Sequence, residues 1–130
     1  MISEESVALK RAFRLRNNSD FQRVRQQGRS IASRLLILAW TPNPQGGVRV
    51  GFVVSKRVSK LAVKRNYIKR LLGEAMRPYM TKLSGDWDVV ITVRNYKSDV
   101  TLSSITRELE TALRRAKLLV PGSEYQEQQL

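Results

Sequence analysis

The sequence predicts a single small α+β domain: a mixed sheet of about four strands with three helices, in the order α-β-β-β-α-β-α. Three observations lead there. Apolar runs of strand length at residues 35–40, 48–55 and 87–93 alternate with segments whose apolar residues recur at helical spacing. The second and third of these strands flank one helix, and such a crossover makes them parallel if they are neighbours. Finally, 130 residues can bury one core without cross-links, as a chain with no Cys must.

Residues 1–9 are polar and aperiodic and read as a flexible arm, so the domain is assigned to residues 10–119 and residues 120–130 to a disordered tail. Asn17, Asn18, Ser19 and Asp20 offer short polar side chains to cap a first helix with Phe21 and Val24 on one face, Arg23 and Arg25 elsewhere, and Gly28 at its end. A strand at residues 29–32 is weakly signalled. Residues 35–40 form a central strand, followed by a hairpin loop through Pro42, Asn43, Pro44, Gly46 and Gly47. From Val48 the chain alternates. Val48, Val50, Phe52 and Val54 share one face, and Arg49, Gly51, Val53 and Ser55 share the other, which is free to meet a ligand.

On a helical wheel of the next segment, Leu61, Ile68, Leu71, Leu72 and Ala75 form the core stripe, and Arg65, Asn66, Lys69, Arg70 and Arg77 lie opposite. Ala62 and Gly73 fall among these cations and leave room for a phosphate backbone to approach. Pro78 ends this helix. Trp87, Val89, Ile91 and Val93 share the packed face of the last strand. The final helix, residues 101–119, aligns Leu102, Ile105, Leu109, Ala112, Leu113 and Ala116; Asp99 or Thr101 caps it and Pro121-Gly122 stops it. Its Arg107, Arg114 and Arg115 are offset by Glu108 and Glu110, as in a solvated support helix.

The formal net charge is +13, and 17 of the 24 Lys and Arg lie between Lys10 and Arg77, against Asp20 and Glu74 alone. Between Val54 and Arg70 stand Lys56, Arg57, Lys60, Lys64, Arg65, Lys69 and Arg70 with no acid among them, which calls for an anionic partner. Without Cys or His the chain offers no disulfide, thiolate, imidazole ligand or His base. Its carboxylates are scattered, and Gly46-Gly47 lacks the spacing and Lys of a phosphate-cradling loop. A nucleic-acid binder with no catalytic residues and no metal site of its own is the reading these residues support. No apolar run approaches the roughly 20 residues that span a bilayer, and the first residues do not resemble a secretory signal, so the expected location is cytoplasmic.

The order VVSKR, a short basic linker, AVKRN and IKR ending at Glu74 resembles the signature of the bacterial ribonuclease P protein subunit. Lys56, Arg57, Ala62, Arg65, Asn66, Ile68, Lys69, Arg70 and Glu74 match it, whereas Tyr67 and Gly73 stand where the family usually has Arg. Phe13-Arg14-Leu15, Phe21, Val24 and Gly28 are similar to that family's start. The resemblance implies a ribosomal-protein-like fold with a rare left-handed β-α-β crossover, and a ribonucleoprotein endonuclease that removes the 5′ leader of precursor tRNA. It also implies that the RNA subunit carries the active site and the catalytic Mg²⁺, none being bound by the protein alone. Lys56, Arg57, Lys60, Arg65, Asn66, Lys69 and Arg70 would then engage ribonuclease P RNA. Phe13, Phe21 and Phe52 would line the cleft for the precursor tRNA leader. No membrane and no small-molecule substrate is implied. The alternative is a ribosomal or other structured-RNA-binding protein without a role in cleavage. A major-groove DNA reader is disfavoured because the central helix lacks a preceding helix and tight turn.

Overall fold

The computed structural model describes residues 13–94 and 101–119; the arm and tail assigned from sequence lie outside them, as does Asp99. The elements run α1 (Asn18–Gln27), β1 (Arg29–Ala32), β2 (Leu36–Pro42), β3 (Val48–Val53), α2 (Ala62–Met76), a 3₁₀ turn (Arg77–Tyr79), β4 (Trp87–Val93) and α3 (Leu102–Arg115), which is the expected order. The sheet order is β1-β2-β4-β3. β4 is antiparallel to β2 and parallel to β3, so the β3-α2-β4 unit is a crossover between neighbours.

Register explains how the sheet carries a core on each side. Val89 lies between Trp40 and Val50, and Ile91 between Leu38 and Phe52; these rows point toward α2 and α3. There they meet Ile68, Leu72 and Met76 of α2 and Ile105, Leu109 and Leu113 of α3. The alternate rows face α1, where Ala39 and Val90 join Leu15 and Val24 in a smaller core, with Phe21 and Val53 packed against it.

The loop at residues 43–47 is not a hairpin loop. β4 inserts between β2 and β3, because it is buried on both faces and needs a neighbour on each edge. The loop crosses the start of β4 instead, with Asn43 N–H donating to the Asp86 carbonyl at 3.0 Å and Trp87 N–H to that of Gly47 at 3.0 Å.

Other boundaries moved for local reasons. Gly28 ends α1 with extended φ of −82°, so left-handed freedom is not its purpose. A Cβ there would stand 2.4 Å from the Val24 carbonyl oxygen and 2.6 Å from that of Trp40, which makes it a contact glycine. Leu61 is not core: it is the extended N-cap of α2 and is 67% exposed. Leu102, at the first turn of α3, is likewise exposed. Gly73 is buried, not set in the open basic face. Thr101 caps α3 through a reciprocal pair with Ser104. The helix ends well before Pro121: Lys117 takes φ of 60°, and Leu118 N–H reaches back to the Leu113 carbonyl at 3.1 Å. This Schellman-type reversal buries Leu118 and Leu119.

Candidate nucleic-acid interface

The carboxylates come first, because they decide which cations are free. Asp88 is fully buried, and both Arg23 and Arg49 reach it, Arg49 through Nε at 3.0 Å and Nη2 at 2.8 Å. Asp20 stands 3.6 Å from Arg23 and 3.7 Å from Arg49. The hydrogen bond that Arg49 donates to Asp88 holds its guanidinium above its ordinary pKa, against the opposing effect of desolvation. Glu74 pairs with Arg77, and Glu110 with Arg114 and the Tyr79 hydroxyl. Glu108 accepts from the Ser33 hydroxyl and Leu35 N–H, and Asp86 from Gly47 N–H. Each carboxylate among the described residues is therefore engaged. No three of His, Cys, Asp and Glu gather there, so the described side chains do not fit a Mg²⁺ site.

What remains is positive. Lys56 and Arg57 stand exposed in the turn after β3, Lys60 follows, and Asn66, Lys69 and Arg70 are exposed along α2. The first turn of α2 has no acid to offset the positive end of the helix, which adds to the positive field. Arg65 behaves differently. It is half-buried and its Nη1 donates to the Ser59 carbonyl at 2.9 Å, fastening the turn that carries Lys56, Arg57 and Lys60 to the helix. Arg23, which sequence left on the helix surface, is absorbed by Asp88.

Lys69, Arg70 and Gly73 form one side of a recess of about 380 Å³ that wraps the outer edge of β3. Val50, Gly51 and Phe52 lie at its centre, and Arg14, Leu15, Arg16 and Phe21 form the other side. The chain enters it by a parallel bridge from Arg14 to Val50, with Leu15 N–H donating to the Val50 carbonyl at 3.0 Å. Phe21 lies on Gly51, where a Cβ would come within 2.4 Å of its ring; only glycine lets the ring sit down on the strand. Phe21 and Phe52 belong to opposite faces of β3 yet share this recess, because an edge strand can be reached from both sides. Phe13 is elsewhere, packed against the larger core and absent from the lining. Arg14 and Arg16 were not singled out from sequence; their alternation with Phe13 and Leu15, charged out and apolar in, was the available signal.

The arrangement is a cationic ridge beside an aromatic-lined groove one strand wide, suited to a phosphate backbone and to unstacked bases. The family model for ribonuclease P matches residues 9–117. A ribonuclease P protein component from Chloroflexus aurantiacus is 39% identical over 112 residues, covering 85% of this chain and 82% of that protein. One from Desulforamulus reducens is 43% identical over 91 residues, covering 70% and 80%. The solved RNase P protein of Staphylococcus aureus superimposes with a TM-score of 0.75 at 32% identity, covering 84% of this chain and 99% of that one. Sequence, fold and charge thus agree, and the chain belongs to the ribonuclease P protein family, as a protein component of the ribonucleoprotein that matures tRNA 5′ ends.

Proposed function

We propose that the chain binds ribonuclease P RNA through the turn at Lys56, Arg57 and Lys60 and the exposed side of α2, and holds the single-stranded 5′ leader of precursor tRNA in the recess along β3. One observation carries this reading: the unpaired cations Lys69 and Arg70 are shared between the ridge and the recess, so one RNA surface continues into the other. Lys56, Arg57, Lys60, Lys69 and Arg70 contact phosphates, Asn66 offers an amide to the same strand, and Arg65 positions the turn. Phe21 and Phe52 give leader bases an apolar surface, and Arg14 and Arg16 neutralise the leader backbone. Phe13 serves from behind, anchoring the segment that carries Arg14 and Arg16. Among the described residues no three metal-ligating side chains gather, which accords with a reading in which cleavage and its Mg²⁺ belong to the RNA subunit. Among the described residues no helix is long and apolar enough to cross a membrane.

The test is reconstitution. Nuclease-free protein mixed with ribonuclease P RNA at low Mg²⁺ is expected to restore 5′ cleavage of precursor tRNA, and protein alone to leave the precursor intact. Cleavage by the protein alone, or no stimulation of the RNA, would overturn the assignment. A structured-RNA binder with no role in cleavage would bind the RNA yet leave the rate unchanged.

A further inference from the structure

On the side of α2 away from the β3 recess, the helix carries an apolar strip of which only the last residue, Leu71, packs against the core. Val63 is 82% exposed and Tyr67, one turn on, is 52% exposed, although both lie within the most basic stretch of the chain. Leu71, a further turn along, is half-buried. Tyr67, Arg70, Leu71 and Glu74 line a shallow recess of about 300 Å³. Arg70 lines this recess and the β3 recess alike, so it stands on the crest between them.

We infer that the outer face of α2 is a stacking site for one unpaired base of the bound RNA, with the Tyr67 ring as platform, Val63 and Leu71 flanking it, and Arg70 taking the adjoining phosphate. The inference rests on the RNA-binding reading above and extends it to a second surface of the same helix. Charge selects the occupant. The one acid lining the recess, Glu74, is paired with Arg77, Arg70 lines the recess beside it, and Lys56, Arg57 and Lys60 stand exposed in the turn that leads into the helix. This disfavours a second copy of this equally basic chain and favours a polyanion that also has flat apolar faces. Glu74, held by Arg77 at 3.0 Å, closes the C-terminal end of the recess and keeps phosphate from that side. The strand is therefore directed toward the N-terminal half of the helix, where the cations are. A Tyr side chain has only about two rotatable bonds, so little side-chain ordering remains to oppose stacking.

Binding of a ribonuclease P RNA transcript is to be measured across a salt series for the parent, Tyr67→Phe, Tyr67→Leu, Tyr67→Ala and Lys69→Ala/Arg70→Ala, with thermal melts of each protein. The expected result is that Tyr67→Phe binds within about twofold of the parent, and that Tyr67→Leu and Tyr67→Ala bind about tenfold more weakly, with unchanged melting and unchanged salt slope. Parent-like binding by Tyr67→Ala overturns the inference. So does equal weakening by Tyr67→Phe, which would assign the hydroxyl to a phosphate. A shift in sedimentation of Tyr67→Ala without change in RNA affinity would give the strip to a protein contact and also overturn it. If the parent fails to bind the RNA, or if Lys69→Ala/Arg70→Ala leaves the salt slope untouched, the underlying RNA-binding reading fails, and the stacking site with it.

Discussion

Asp88 shows how one side chain organises its surroundings. It sits on the sheet row that faces α1, beside Arg49 of β3 and Thr41 of β2, and Arg23 comes down to it from the helix. The carboxylate thus ties α1 to two strands at a position where a hydrophobic residue would leave two arginines without a partner. Asp88→Ala is expected to destabilise the fold by about 3 kcal/mol, since removing one member of a buried ion pair strands the rest; chemical denaturation measures it. A variant unfolding at the parent's midpoint would show that the arginines are satisfied by solvent. Lys117 offers the opposite sign. Its φ of 60° is uncomfortable for a residue with a Cβ, so Lys117→Gly is expected to raise stability by about 1 kcal/mol, seen as a higher melting temperature. At this scale the sequence was least informative. Asp88 reads as one of two acids alternating at a strand edge, and nothing local says that Arg23, 65 positions earlier, will find it. Phe21 and Phe52 were legible as aromatic candidates, whereas the shared recess depends on β3 being an edge strand.

At the scale of elements, periodicity carried most of the reading. α2 shows its core face in Ile68, Leu72, Ala75 and Met76, and its cations follow from what is left over. The wheel failed at Leu61 because helical angles were extended one residue beyond the helix, and at Gly73 because a buried stripe broad enough to meet both β3 and α3 takes in flanking small residues. The consequence for binding is a division of labour within one helix. Lys69→Ala/Arg70→Ala is expected to shallow the log–log salt dependence of RNA affinity by roughly 1–2, as two lost phosphate contacts should. Arg65→Ala is expected to lower affinity chiefly by loosening the turn that carries Lys56 and Arg57, with a slope change smaller than that of the double variant. A slope change equal to the double variant's would place Arg65 directly on phosphate.

For the whole molecule, the element order and the parallel pairing of β3 with β4 could be read from the alternation of strand and helix patterns, but the position of β4 could not. A short glycine-containing loop between two strands is the usual mark of a hairpin, and only burial on both faces of β4 overrules it. That insertion has a bearing on how the chain is made. A ribosome releases β1, β2, β3 and α2 before β4, yet β2 and β3 have no sheet contact until β4 arrives between them. The emerging chain therefore carries two separated, half-paired apolar strands and the exposed underside of α2, a state prone to join other chains edge to edge. A fragment ending at residue 86 is expected to bind a hydrophobic dye and to show no cooperative melting, while extension through α3 restores a single sharp transition; a cooperative melt of the shorter fragment would contradict this. The sheet thus closes only once most of the chain has been made, and the surplus positive charge along the unfinished half is expected to oppose its association with other such chains.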